Sequence, residues 1–69
     1  MALVSGEFFE ASDKEPVPAI FLKATDNPYR VHIYVFDVEG GPRLAVARLF
    51  ESKDDIQPGD RDVFILDAE

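Results

Sequence analysis

Apolar residues are concentrated in one long stretch of this chain, between positions 29 and 50. The first half of the stretch is rich in β-branched and aromatic residues, which suit a pleated and half-buried strand. Gly40 and Gly41 follow, and glycine readily adopts the positive φ angles that a two-residue hairpin turn requires. The pattern therefore predicts a long β-hairpin over residues 29–50 that forms the centre of a sheet.

A two-residue turn at the glycines fixes the pairing of this hairpin, from Glu39 opposite Pro42 to Val31 opposite Phe50. Directly opposed residues share a face, and faces alternate along a strand. One face then collects these apolar residues: Val31, Ile33, Val35, Leu44, Val46 and Phe50. The other face collects these: His32, Tyr34, Phe36, Val38, Ala45, Ala47 and Leu49. A sheet with one solvated side alternates apolar and polar residues, so we expect something to cover the second face.

Shorter apolar runs predict three more strands, at about residues 3–11, 19–24 and 62–67. Turn signals separate these runs; in Pro58-Gly59 the proline and the glycine suit the two central positions of a type II turn. Short strands with turns between them predict a mainly β fold, which is a small antiparallel five-stranded barrel or sandwich built around the hairpin.

The segment from 42 to 53 allows a second interpretation. Pro42 suits the first turn of a helix, and Ala, Leu and Arg favour helical structure, whereas Val46 and the two preceding glycines favour a strand. The alternative fold is therefore α+β, with a helix at about residues 42–53 packed on the sheet. In that fold the helix itself covers the second apolar face.

The chain has 69 residues and no cysteine, so we expect a single domain over residues 1–69 without disulfides. A domain of this size buries only about 60% of its unfolded surface, and small scaffolds without cross-links often gain stability by oligomerising. Together with the two apolar faces, this predicts a homo-oligomer. The predicted self-association face consists of these residues: His32, Tyr34, Phe36 and Val38.

Acidic residues outnumber basic ones, and the formal net charge is −7. Residues 51–69 hold seven Asp or Glu and two Lys or Arg, a net charge of −5 in that segment. Direct binding to DNA or RNA needs Lys and Arg to displace counterions, and anionic membranes need them too. We therefore expect neither nucleic acid nor membrane as a partner, but a protein with a basic surface. The predicted contact is an acidic loop with these residues: Asp54, Asp55, Asp60 and Asp62.

No motif in the chain points to catalysis or to a metal. His32 is the only histidine, and its predicted cross-strand neighbour, Leu49, offers no group that would orient a general base. The acidic loop does not match the calcium-binding pattern, and one histidine without cysteine cannot supply a zinc site. We predict no enzymatic activity, no metal and no cofactor.

The predicted function is a non-enzymatic protein–protein interaction module, in its more specific form an acidic inhibitor or nucleic-acid mimic that occupies a basic partner surface. The alternative is a structural or assembly subunit of a larger homo- or hetero-complex, for which the apolar faces matter and the charge does not. No stretch approaches the roughly 20 apolar residues of a membrane helix, and the chain starts without a basic signal-peptide region. The expected location is the cytoplasm, or the host cytoplasm for a viral protein.

Overall fold

A computed structural model describes residues 3–37 and 41–67 of the chain. Each strand is hydrogen-bonded to the next in chain order and β5 returns to β1, so the sheet closes into a five-stranded barrel. The mainly β prediction is confirmed, and of its two forms the structure adopts the barrel. The strands are β1 (Val4–Ala11), β2 (Val17–Ala24), β3 (Arg30–Asp37), β4 (Gly41–Phe50) and β5 (Arg61–Leu66), with a short 3-10 turn at Lys53–Asp55.

The alternative helix over residues 42–53 is wrong. Nine residues of this segment, 42–50, belong to β4, which spans Gly41–Phe50. Helix propensities of these residue types differ by less than about 1 kcal/mol each, so the hydrogen-bonded ladder with β3 decides the conformation. Within the described parts of the chain only Lys53–Asp55 are helical, and there the Ser52 hydroxyl accepts a hydrogen bond from the N–H of Asp54 at 3.2 Å.

One strand pair does not run antiparallel. β4 and β5 pair in parallel, with Arg48 opposite Val63 and Phe50 opposite Ile65. The reason is the number of strands: directions must alternate around an antiparallel ring, and an odd number of strands cannot alternate around a closed ring. The expectation of a wholly antiparallel barrel therefore does not hold at this pair, and residues 51–60 carry the chain back along the barrel before β5 begins.

The hairpin of β3 and β4 has a different register from the predicted one. Asp37 pairs with Gly41, whereas the predicted turn placed Asp37 opposite Leu44, so the observed pairing is shifted by three residues. Gly41, with a φ of 71°, is the first residue of β4 instead of the second turn residue. The other predicted turn residue, Gly40, lies outside the described residues.

The shift in register exchanges the two faces of β4. Because a strand has a side-chain period of two, an odd shift moves every side chain to the opposite side of the sheet. Ala45 and Ala47, predicted on the second face, point into the barrel, and Ala47 is fully buried. Leu44 and Val46, predicted on the core face, lie outside with 72% and 43% of their surface exposed.

The barrel interior is packed with apolar side chains from all five strands. The ring of Phe64 lies directly against Gly6, where an added Cβ would stand 2.5 Å from ring atoms and from the Ile65 carbonyl oxygen. Glycine at this position therefore makes room for the largest side chain of β5. The buried interior residues are Phe8, Ala19, Val31, Ile33, Val35, Ala47 and Phe64.

A second, smaller apolar cluster lies outside the barrel on β1 and β5. Phe9, Val63 and Ile65 are buried there, and Ile56 of the segment 51–60 packs against them. We call this segment the covering loop, and the surface under it the covered half of the barrel. β5 is apolar on both sides, because Phe64 points inward while its two neighbours point under the loop.

The covering loop is attached to the β1–β2 turn and closed by the predicted type II turn. The N–H of Ser12 donates to the carbonyl of Asp60 at 3.0 Å, and the N–H of Gly59 donates to the Ser12 hydroxyl at 3.1 Å. The N–H of Asp60 donates to the carbonyl of Gln57 at 3.0 Å, and Gly59 has a φ of 94°. These contacts hold the loop over the barrel wall.

Candidate functional site

The outer side of the barrel opposite the covered half carries apolar residues that no other segment of the described structure covers. These residues project outward from β2, β3 and the first part of β4, at positions that alternate with the buried interior residues. We call this surface the open face. Its members are Ile20, Leu22, Lys23, Arg30, His32, Tyr34, Phe36, Leu44 and Val46.

Two aromatic rings form the middle of the open face. Tyr34 and Phe36 are two residues apart on β3, and their ring centroids lie 5.4 Å apart with the planes at 80°. Such edge-to-face pairs contribute about 0.5–1.5 kcal/mol beyond the free energy of the area they bury. The two rings therefore stabilise each other, although both side chains stay half-exposed. Leu44 lies opposite Tyr34 on the neighbouring strand. A contiguous apolar patch of this kind marks an interaction site more often than scattered apolar residues do.

A β-bulge in β2 widens one end of this face. The ladder with β3 skips one residue at Leu22, so Leu22 and Lys23 together lie opposite His32. With Leu44 they line a shallow cavity of about 260 Å³. Nδ1 of His32 is buried there without a hydrogen-bond partner in the described part of the chain.

The open face carries positive charge although the protein as a whole is acidic. Its charged residues are Lys23 and Arg30, both exposed. No carboxylate occupies an outward-facing position in the described parts of β2, β3 and β4. At the border with the covered half, the Arg48 guanidinium lies 4.8 Å from the ring centroid of Phe50 and 3.6 Å from a carboxylate oxygen of Asp60.

The structure brings three of the four predicted self-association residues together. His32, Tyr34 and Phe36 share the open face, while Val38 lies outside the described residues. The sequence reasoning missed Leu44 and Val46, because the predicted register placed them in the core. The sequence did contain a signal for the correct assignment, which is the alternation of large and small residues in β4. Because the barrel interior already holds two phenylalanines, the small alanines of that strand fit inside better than Leu44 and Val46.

The four residues of the predicted acidic loop do not form one site. Asp54 and Asp55 are exposed side by side on the 3-10 turn. Asp60 is half-buried and serves the turn itself, since one carboxylate oxygen accepts a hydrogen bond from the N–H of Gln57 at 2.9 Å and the other pairs with Arg48. Only two of the four therefore present free carboxylates on the covering loop.

Asp62 belongs to a different group, at the barrel end where β4 and β5 separate. There the Arg43 guanidinium donates a hydrogen bond to the Asp37 carboxylate, lies 3.7 Å from a carboxylate oxygen of Glu10, and stacks 5.7 Å from the ring centroid of Phe8. The hydrogen bond to Asp37, together with the negative charges of Asp37, Glu10 and Asp62, raises the pKa of Arg43 above its ordinary value, against a smaller effect of burial. The cation therefore lies at this barrel end and pairs with two carboxylates there, those of Asp37 and Glu10.

Another cavity lies between the β1–β2 turn and the covering loop. It has a volume of about 480 Å³ and is lined by Phe9, Ser12, Lys53, Asp54 and Ile56 among others. Among residues 3–37 and 41–67, no three His, Cys, Asp or Glu side chains are placed to hold a metal ion. The same ranges contain no helix long and apolar enough to cross a membrane.

Comparisons with protein-family models, with curated proteins and with solved structures give no match to this chain. The function is therefore inferred from the surfaces described above.

Proposed function

We propose that this protein is a non-enzymatic protein-interaction module and that its contact surface is the open face. The observation that carries the proposal is the contrast between the two outer halves of one barrel. On one half Phe9 and Val63 are buried under the covering loop. On the other half Leu44 is 72% exposed, and Tyr34 on the neighbouring strand is only half-buried. Removing such side chains from water contributes about 25 cal/mol per Å² of apolar area, from which the entropic cost of association is subtracted.

The charge of the open face supports a protein partner that combines apolar and acidic residues. Lys23 and Arg30 flank the apolar strip, and complementary charge raises the rate of association and selects among partners. Two cations on a protein of net charge −7 are a weak basis for nucleic-acid binding, which depends on the number of phosphates neutralised. The proposed partner is thus a protein segment, not a nucleic acid.

A catalytic role for His32 has little support from its surroundings. A catalytic histidine is normally oriented by a second polar group. Nδ1 of His32 lacks such a partner among the described residues, and Leu22 and Leu44 lie beside it. The histidine instead adds a polar atom to a mostly apolar contact surface, where a partner donor or acceptor can satisfy it.

Capture from an extract of the source cell tests the proposal when four forms of the protein are compared. The wild type and a control variant with Asp54→Asn and Asp55→Asn should recover the same specific protein, identified by mass spectrometry. The variants Tyr34→Glu and Leu44→Glu should lose it, because each places a charge in the apolar strip. Circular dichroism confirms that all forms are folded. Equal recovery by all four forms would exclude the open face as the contact.

The acidic inhibitor or nucleic-acid mimic is the second candidate, and Asp54 and Asp55 are the observation in its favour. Both carboxylates are exposed on a turn that is capped by Ser52 and anchored through Ile56, so they are presented in a fixed arrangement. The same four forms separate the two candidates. A partner that is lost from the Asp54→Asn, Asp55→Asn variant, retained by Tyr34→Glu and released by salt would favour the acidic turn. The cytoplasmic location stays a prediction.

A further inference from the structure

β4 leaves one part of the barrel wall without a neighbouring strand. It pairs with β3 along residues 41–48, but with β5 only over Arg48–Phe50. Among the described residues, the stretch 42–47 therefore has a strand on one side only. An unpaired strand edge presents backbone donors and acceptors to which another strand can bond.

The alternation of the ladder shows which residues face this edge. The N–H of Leu49 donates to the carbonyl of Tyr29 at 2.9 Å, so Leu49 directs its backbone groups toward β3. Hydrogen-bonded positions alternate along an antiparallel strand, and the odd-numbered residues of β4 therefore bond to β3. The even-numbered Leu44 and Val46 direct their N–H and carbonyl groups toward the open edge.

We infer that this edge pairs with the same edge of a second copy of the chain, with Leu44 of each copy opposite Val46 of the other. In an antiparallel ladder, opposed residues of this type exchange both of their hydrogen bonds. The N–H and carbonyl groups of Leu44 and Val46 then all find partners, and Ala45 of the two copies meet at the two-fold axis. The inference goes beyond the proposed function, because it rests first on the backbone groups at the edge of β4.

Only this register pairs all four backbone groups of Leu44 and Val46. With Leu44 opposite Leu44 of the second copy, Val46 would face Pro42, which has no N–H to donate. With Val46 opposite Val46, Leu44 would face Arg48, whose backbone already pairs with Val63 of β5. Pro42 and Arg48 therefore limit the length of the free edge, and they leave one register in which the edge is complementary to itself.

The side chains along the edge also favour a second copy. Leu44 and Val46 are 72% and 43% exposed, and the pairing sets both side chains of each copy against those of the other. The open faces of the two copies then become one continuous surface. A standard stable interface buries about 1,200–2,000 Å², more than one short edge provides, so we expect a dissociation constant on the order of micromolar or weaker.

Ion pairs within each copy reduce the repulsion that arginines at the edge would otherwise cause between two copies. Arg43 and Arg48 flank the edge, but Arg43 is paired with Asp37 and Arg48 with Asp60, so two copies meet without unpaired cations. Each copy still carries a net charge of −7. Because salt screens this repulsion, dimerisation should become stronger as ionic strength rises, unlike binding to a basic partner.

The absence of cysteine from the chain provides a test of the register. Leu44→Cys and Val46→Cys, one of them carrying a mass tag, are mixed and oxidised gently. Directly opposed residues have Cα atoms about 5.5 Å apart, within the range that a disulfide bridges. We expect the mixed product to exceed both like-with-like products severalfold. A statistical mixture, an excess of either like-with-like product, or no cross-linking would overturn the inferred pairing.

Light scattering at several concentrations and two salt levels tests the edge itself. Val46→Pro removes an edge N–H that has no partner within the described chain, and proline is tolerated on edge strands. We expect loss of the dimer for Val46→Pro, whereas Tyr34→Glu should retain the dimer and lose the partner that the open face captures. A dimer that survives Val46→Pro would refute the inference. If that variant is unfolded, a synthetic chain with N-methylated Val46 takes its place. N-methylation removes the same hydrogen-bond donor with less constraint on the backbone, and a dimer that survives it would equally refute the inference.

Discussion

The two outer halves of this barrel start from similar strands and end with different surfaces. On the covered half, Phe9, Val63 and Ile65 expose 9% of their surface or less. On the open face, Tyr34 and Leu44 lie on equally regular strands, and Leu44 exposes 72%. The strand pattern does not distinguish the halves. The difference is made by one loop, and it shows that an apolar strand face becomes core or contact surface according to what the rest of the chain places on it.

The comparison also has an energetic side. Full burial of a large apolar side chain contributes about 1.5–3 kcal/mol, and a domain of 69 residues has a total stability of roughly 3–10 kcal/mol. The open face leaves several such contributions unused in the monomer. The covered half therefore accounts for a substantial part of the stability, while the open face keeps free energy available for binding.

The largest expected effect on stability is that of Phe9→Ala on the covered half. Removing this buried ring leaves a cavity under the loop, and we expect the free energy of unfolding to fall by about 3 kcal/mol. Phe36→Ala is the matched change on the open face and should cost about 1 kcal/mol or less, because that ring is half-exposed. Urea denaturation of both variants measures the difference; equal losses would contradict the division into two halves.

A methyl group at Gly6 should cost nearly as much. Gly6→Ala places a Cβ 2.5 Å from the Phe64 ring and the Ile65 backbone, and such overpacking typically costs about 1–3 kcal/mol. Thermal unfolding checks this. The second substitution Phe64→Leu makes room for the added methyl, so it should cost less in the Gly6→Ala background than in the wild type. Additive losses would mean that the two positions do not compete for space.

Loss of the anchor at Asp60 should have an intermediate effect. Asp60→Ala removes the acceptor for the Gln57 N–H and the partner of Arg48, and we expect a loss of about 1–2 kcal/mol with faster hydrogen exchange at Gln57. Asp54→Ala is the control from the same loop. Its carboxylate is exposed, so stability should change by no more than about 0.5 kcal/mol. If both changes cost the same, Asp60 is a surface acid like its neighbour.

The smallest expected effect on stability is that of Leu44→Glu. The side chain is mostly exposed, so the free energy of unfolding should change by less than about 0.5 kcal/mol. Capture of the partner and self-association should nevertheless both be lost, because the change places a charge on the open face and beside the edge of β4. Parallel measurements of unfolding and solution mass check this. A large loss of stability would show that Leu44 belongs to the core.

The candidate site was partly readable from the sequence. His32, Tyr34 and Phe36 could be assigned to one face, because the period of two along a strand is a local property. Leu44 and Val46 could not be assigned, since their side depends on the length of the β3–β4 connection, and a turn one residue longer reverses every position of the strand. For the acidic residues, the sequence showed only their number and their positions along the chain. Whether an acid such as Asp60 is free or engaged depends on Arg48, which arrives from another strand.

The sequence by itself determined the local structure: the apolar runs that became strands, and the proline and glycine that closed the turn at Pro58-Gly59. These features follow from the conformational preferences of neighbouring residues, which act whatever the rest of the chain does. Only the tertiary structure decided the register of β4, the parallel pairing of β4 and β5, and which half of the barrel the segment 51–60 would cover. Each of these depends on contacts between residues far apart in the chain, and closing an odd number of strands into a ring requires the one parallel pair.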